Sequence, residues 1–152
     1  MEPKPDAKVR ITTIDEDGEA FSETLWATTV GTDLYRLDNS PFGAYNVSWE
    51  DVVYAPFDAE SGFAEFQEVR EKSGNRTVRI IFNKGVAPGN KSDLILQELH
   101  EFGCSYEGMD PKFIALTIPD SIDLNSITKH LQKLGLEWEY ADPSYDVLFP
   151  ND

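Results

Sequence analysis

The sequence predicts an α+β fold in two halves, a strand-rich stretch over residues 8–72 and a β-α-β-β-α-β stretch over residues 73–142. Three observations predict it. Period-two alternation dominates the first half, where runs rich in Thr, Val and aromatics are broken by Asp, Gly and Pro turns. Apolar stripes at helical spacing, each preceded by a capping residue and followed by glycine, occur only in the second half. The strands of that half are also of two kinds. Residues 113–118 are apolar on both faces, as a central strand must be, while residues 136–141 alternate with glutamates, which suits an edge.

Residues 8–14 alternate, with Val9 and Ile11 on one face, and end in the acidic turn Asp15-Glu16-Asp17-Gly18. Residues 19–30 form the next strand, and Gly31-Thr32-Asp33 turns the chain into residues 34–37. Asn39-Ser40-Pro41-Phe42-Gly43 is a loop, because Pro41 keeps the residue before it out of the helical region. Residues 51–57 and 63–72 supply two more strands around an Asp-Ala-Glu-Ser-Gly turn. Five short strands of this kind predict a small, strongly twisted, β-barrel-like sheet.

In the second half, residues 77–82 form a strand with Val78, Ile80 and Phe82 on one face. Ser92 caps a helix over residues 93–102, with Leu94, Ile95, Leu99 and Phe102 as its stripe and Gly103 as its stop. Residues 104–107 and 112–118 are strands joined through Gly108-Met109-Asp110-Pro111. Asp123 caps a second helix, striped by Leu124, Ile127, Leu131 and Leu134, with Lys129 and Lys133 at its C-terminal dipole and Gly135 beyond. Residues 136–141 close the unit, with Leu136, Trp138 and Tyr140 inward and Glu137 and Glu139 outward. That order is the ferredoxin-like split motif. If Ile81, Ile114, Leu116 and Ile118 leave the helix side they need a cover, and the first half is the candidate, packed on the second as one body. Residues 1–7 and 143–152 read as tails.

The 152 residues include 28 acidic and 13 basic ones, a net charge of −15. With 40% hydrophobic residues this acidity does not mark a disordered chain. Duplex DNA and anionic membranes repel such a chain, and a basic protein is the partner its field favours. The plainer reading is an acidic surface that keeps the protein in solution. Residues 1–7 lack a secretory leader, no apolar run reaches bilayer length, and the single cysteine suits a reducing compartment, so a cytoplasmic setting is expected. Residues 70–84 run against the trend with Arg70, Lys72, Arg76, Arg79 and Lys84 against Glu71. They can hold an anion, or serve as counter-charge for acids on neighbouring strands. The stretch lacks the interleaved aromatics of a single-strand platform, so nucleic-acid binding is not expected.

Catalytic constellations are scarce. Cys104 follows a helix-ending glycine, and nothing in the spacing brings His100 or His130 to it as a base, so a packed thiol is the expectation. His100 lies off its helix's apolar stripe and His130 near a helix end, and no metal or cofactor is expected. Asp15–Glu19 resembles a calcium loop only superficially, because Phe21 occupies the coordinating stretch and no glutamate closes it. Phosphate-binding glycine loops, nucleophile elbows and dinucleotide fingerprints are missing. The polar segments that remain are Asn39–Phe42 and Ser73–Thr77. Asn39, Ser73, Asn75 and Thr77 offer hydrogen bonds, Arg76 and Arg79 charge, and Phe42 and Trp49 stacking surfaces, for a small anion or a peptide end; turn chemistry is the plainer reading of the Asn and Ser.

Glu23-Thr24-Leu25-Trp26-Ala27, Tyr35-Arg36-Leu37-Asp38-Asn39-Ser40-Pro41-Phe42 and Ser48-Trp49-Glu50-Asp51-Val52-Val53, with Ser73–Arg79 and Gly103–Gly108 after them, resemble a bacterial family, the domain of unknown function numbered 4265. The likeness spans about residues 8–142, with the strings in family order. It implies architecture and a bacterial cytosolic setting rather than a chemistry. Two positions depart from the family pattern: Gly43 stands where a second aromatic is frequent, and Asn75 where histidine is frequent.

The functional expectation is a non-catalytic acidic protein-binding module, in its sharpest form an immunity or antitoxin protein that neutralises a basic toxin. Its partner-binding edge is the last strand, with Glu137 and Glu139. The alternative is a small-molecule sensing domain of ferredoxin-like type, with an anion held by Arg76 and Arg79 and by Asn39, Phe42, Ser73 and Asn75. An enzyme working through carboxylates alone is a third reading.

Overall fold

The structure, a computed structural model, describes residues 4–152. The chain is mixed α+β and divides into two compact units, residues 1–73 and 74–152. Alternation in the first unit gives β1 (Ala7–Ile14), β2 (Ala20–Gly31), β3 (Leu34–Leu37), β4 (Val52–Tyr54), β5 (Phe57–Asp58), β6 (Phe63–Glu65) and β7 (Glu68–Glu71). Seven strands replace the expected five because two of the predicted runs each break in two. Pro56, which has no N–H to give a ladder, separates β4 from β5. The break between β6 and β7 is a change of neighbours: the Phe66 N–H donates to the Arg10 carbonyl on β1, and the Gln67 N–H donates to the Tyr54 carbonyl on β4.

Those two bonds describe the sheet. Its order is β5-β6-β1-β2-β3-β4-β7, so two consecutive residues reach strands lying on either side of its middle. Only a curled sheet permits that, and it is a half-barrel rather than a closed one, because β5 and β7 remain its edges. Inside lie Val9, Ile11, Leu25, Ala27, Leu37 and Val53, all fully buried. The β1–β2 hairpin turns where expected, with Ile14 opposite Ala20. The Asp15 carboxylate there accepts the N–H groups of Asp17 and Glu19, so the acidic turn caps itself.

The second unit runs β8 (Arg76–Ile81), α1 (Lys91–Glu101), β9 (Ser105–Gly108), β10 (Phe113–Ile118), α2 (Leu124–Lys133), β11 (Glu137–Asp142) and α3 (Tyr145–Leu148). Its four-stranded sheet has the order β11-β8-β10-β9, with every neighbouring pair antiparallel. The inner strands β8 and β10 are buried almost throughout, whereas β11 alternates between exposed glutamates and half-buried aromatics. Val78, Ile80, Leu116 and Ile118 pack with Ile95, Leu96 and Leu99 of α1 and Ile127 and Leu131 of α2. Among the described residues no helix is long and apolar enough to cross a membrane.

Three local expectations are corrected. The N-cap of α1 is Asn90, whose Oδ1 accepts from the Asp93 N–H at 2.9 Å; Ser92 is buried within the first turn, its hydroxyl donating to the Lys84 carbonyl. The face it packs on the sheet is Ser92, Ile95, Leu96 and Leu99, and both Leu94 and Phe102 are exposed. Residues 143–152, expected as a tail, carry α3, because Tyr145 and Phe149, one turn apart, both stack on Tyr140.

Candidate functional site

The six residues expected to bind a ligand fall into both units: Asn39, Phe42 and Ser73 in the first, Asn75, Arg76 and Arg79 in the second. In the first unit Asn39 and Phe42 belong to a loop, residues 38–51, to which Ser73 is bonded and which has no strand of its own yet buries Ser40, Pro41, Ala44, Val47, Ser48 and Asp51. A buried loop must satisfy its backbone N–H groups, and here two carboxylates do so. Glu23 of β2 accepts from Phe42 N–H at 2.7 Å, Gly43 N–H at 2.9 Å and Ala44 N–H at 3.2 Å. Asp51, with no exposed surface, accepts from the N–H groups of Ser48 and Ser73 and pairs with the Lys72 ammonium. Asn39 accepts the Trp26 N–H through its side chain, and the Ser73 hydroxyl donates to the Trp49 carbonyl. Asn39 and Ser73 therefore act on the backbone, as turn chemistry does.

Glu23 and Asp51 were not among the expected site residues. A signal for Glu23 exists: it shares the inward phase of β2 with Leu25 and Ala27, where a charge needs a dedicated set of donors. At Gly43 a Cβ would lie 2.5 Å from Cδ1 of Phe21, so the ring from β2 occupies the space a side chain would need.

Four of the five cations of residues 70–84 are engaged by the chain itself, and the fifth, Lys84, is exposed. Arg70 pairs with Glu68 and lies over the Tyr54 ring, and Lys72 pairs with Asp51. The Arg76 guanidinium donates to the carbonyls of Ile118, Pro119 and Ile122, which fastens the end of β10 to the α2 entry. Arg79 is buried in the central strand β8, 1% exposed, and its Nε donates to Glu139 of β11 at 2.9 Å. Asn75 is half-buried in the turn before β8. Of the two glutamates expected on the partner-binding edge, Glu139 thus carries the counter-charge of Arg79, and Glu137 is exposed opposite Ile81.

Cys104 is 1% exposed, and burial pushes its thiol up to about 11 against a smaller downward pull from Arg76, which favours the protonated thiol. His100 lies close to it in a bond between its Nδ1 and the Cys104 carbonyl at 3.3 Å, a contact with the backbone and not with sulfur. His130 pairs with Glu98 of α1 and meets the Phe102 ring edge-on. Among the described residues no three His, Cys, Asp or Glu side chains gather as a metal site.

One concavity lies in the second unit, between α1 and β9. It is an open groove of about 600 Å³ lined by Gln97, His100 and Glu101 of the helix and Ser105 and Tyr106 of the strand.

Comparison with known proteins agrees with this architecture. A family described as a domain of unknown function (DUF4265) matches residues 23–140. A crystal structure of a hypothetical protein from Neisseria gonorrhoeae is similar over 95% of this chain and 99% of its own, with a TM-score of 0.72 at 17% identity, a likeness of fold alone. No curated protein matches the chain.

Proposed function

The chain belongs to the DUF4265 family, and on that premise we propose that it is a non-catalytic binding module for a basic protein, of the immunity or antitoxin type that neutralises a toxin. The observation that supports this reading is where the cations go. Arg10, Arg70, Lys72 and Arg79 are each set against one of the chain's own carboxylates, Glu65, Glu68, Asp51 and Glu139, in a chain of 28 acidic and 13 basic residues. Four of the five cations in the stretch that runs against the acidity serve the chain's own acceptors, while Glu16, Asp17, Glu19 and Glu60 stand exposed at hairpin turns. A surface of that kind accelerates encounter with a basic partner and discriminates against acidic ones. We read the second unit as ferredoxin-like, on its β-α-β-β-α-β order and its β11-β8-β10-β9 sheet, and the setting as cytoplasmic. The anion-sensing alternative draws no support from Arg76 and Arg79, whose guanidinium groups already serve the chain's own acceptors.

The test is affinity capture of the tagged chain from lysate of its source cells at low and at about physiological ionic strength. One basic protein retained at near-stoichiometric amount, and blocked in its own activity by the purified chain, is the expected result. A folded chain that retains no basic protein even at low salt would remove the reading.

A further inference from the structure

We infer that the groove between α1 and β9 seats an extended, basic segment of the partner, which adds to β9 as a fifth strand of the second unit's sheet. The inference rests on the proposed binding of a basic protein and names where and in what form that protein is held.

Edge strands are templates for pairing with another chain. The second unit has two, and they differ. At β11, Tyr140 stacks with Tyr145 and Phe149, and Ala141 bridges to Ser144, so the chain's own C-terminal segment lies against that strand. At the other end β9 pairs with β10 and, among the described residues, no further strand continues the sheet. Its Ser105, Tyr106 and Gly108 are exposed.

The groove beside this edge fits an added strand and selects its charge. Tyr106 is opposite Leu116 in the register and so lies on the helix-facing side of the sheet, as the apolar floor of the groove, 41% exposed. Gln97, His100 and Glu101 form the wall, and the bond between His100 Nδ1 and the Cys104 carbonyl ties that wall to the start of β9. Residues alternate sides along a strand, so every second side chain of an added segment faces α1. The charged carboxylate it meets there is Glu101, and neither Lys nor Arg is in the lining. Main-chain bonds to β9 supply affinity, Tyr106 a hydrophobic contact, and the Glu101 carboxylate a preference for Lys or Arg at the position facing it.

The experiment is a titration of the isotope-labelled chain at low salt with an alternating Lys-Val peptide of about eight residues, followed by amide chemical shifts. Shifts should concentrate at residues 105–108 and 97–101. Methylating the peptide's alternate backbone nitrogens, and separately the exposed-site substitution Glu101→Lys, should each weaken binding about tenfold. The Glu101→Lys variant should keep its melting temperature. Binding with shifts at the acidic turns 15–19 and 58–60 or at β11, or binding indifferent to methylation, overturns the inference and leaves the basic-partner reading standing. Failure of the chain to bind either this peptide or any basic protein at low salt overturns that reading, and the inference falls with it.

Discussion

Glu23 sits in the inward phase of β2, where an unpaired carboxylate would cost several kcal/mol. It is tolerated because three consecutive N–H groups, of Phe42, Gly43 and Ala44, converge on its two oxygens. The dependence is mutual, since the loop has no strand partner for those donors. Charge-assisted bonds of this kind are worth more than neutral ones, and removing the acceptor leaves each half-buried donor unsatisfied. Glu23→Ala is therefore expected to destabilise the chain by about 3 kcal/mol. Glu23→Gln should cost roughly half as much, because one amide oxygen still accepts from two donors while the amide nitrogen opposes the third. Urea unfolding of the three proteins measures both values. Equal midpoints for the native chain and Glu23→Ala would mean that the loop is held by other contacts. Within the loop that Glu23 holds, the ring of Phe21 occupies the space beside Gly43.

At the scale of elements, α1 depends on a residue that the apolar stripe does not announce. Asn90 makes three bonds, accepting from Asp93 N–H and Ala87 N–H and donating to the Gly85 carbonyl at 2.8 Å. Asn90→Ala should cost about 2 kcal/mol and Ser92→Ala, which loses one bond to the Lys84 carbonyl, about 1 kcal/mol. Thermal unfolding of the two variants decides their order, and a larger loss in Ser92→Ala would return the cap to Ser92. The apolar stripe leaves the face of α1 open to either side of Ile95 and Leu99, and packing on the sheet decides it by burying Leu96 and leaving Leu94 and Phe102 exposed. Strand and helix order in the second unit was legible because β10 is apolar on both faces and Asp123 caps α2 as expected. The split of residues 63–72 into β6 and β7 was not, because it depends on neighbours supplied by β1 and β4. At the candidate site, the turn roles of Asn39 and Ser73 were readable from residue type. The burial of Arg79 was not, because its counter-charge is Glu139, brought alongside by the β11–β8 pairing.

For the whole molecule, a net charge of −15 has two consequences that salt separates. The folded chain holds its acids closer together than the unfolded chain does, so self-repulsion lowers its stability. Screening relieves this, and the internal ion pairs offset the gain only slightly, because pairs such as Arg70–Glu68 are half-exposed and contribute little. The isolated protein should therefore melt at a higher temperature as sodium chloride is raised from about 0.02 to about 0.2 M. A basic ligand acts in the opposite sense. It binds the folded state and adds stability by mass action, and screening weakens the attraction on which that binding rests. In the presence of the alternating Lys-Val peptide, the ligand-induced rise in melting temperature should shrink over the same salt range. Two melting series, with and without peptide, read both slopes. A peptide increment that holds constant with salt would show that the groove recognises strand shape and apolar surface, with the acidic field contributing solubility alone.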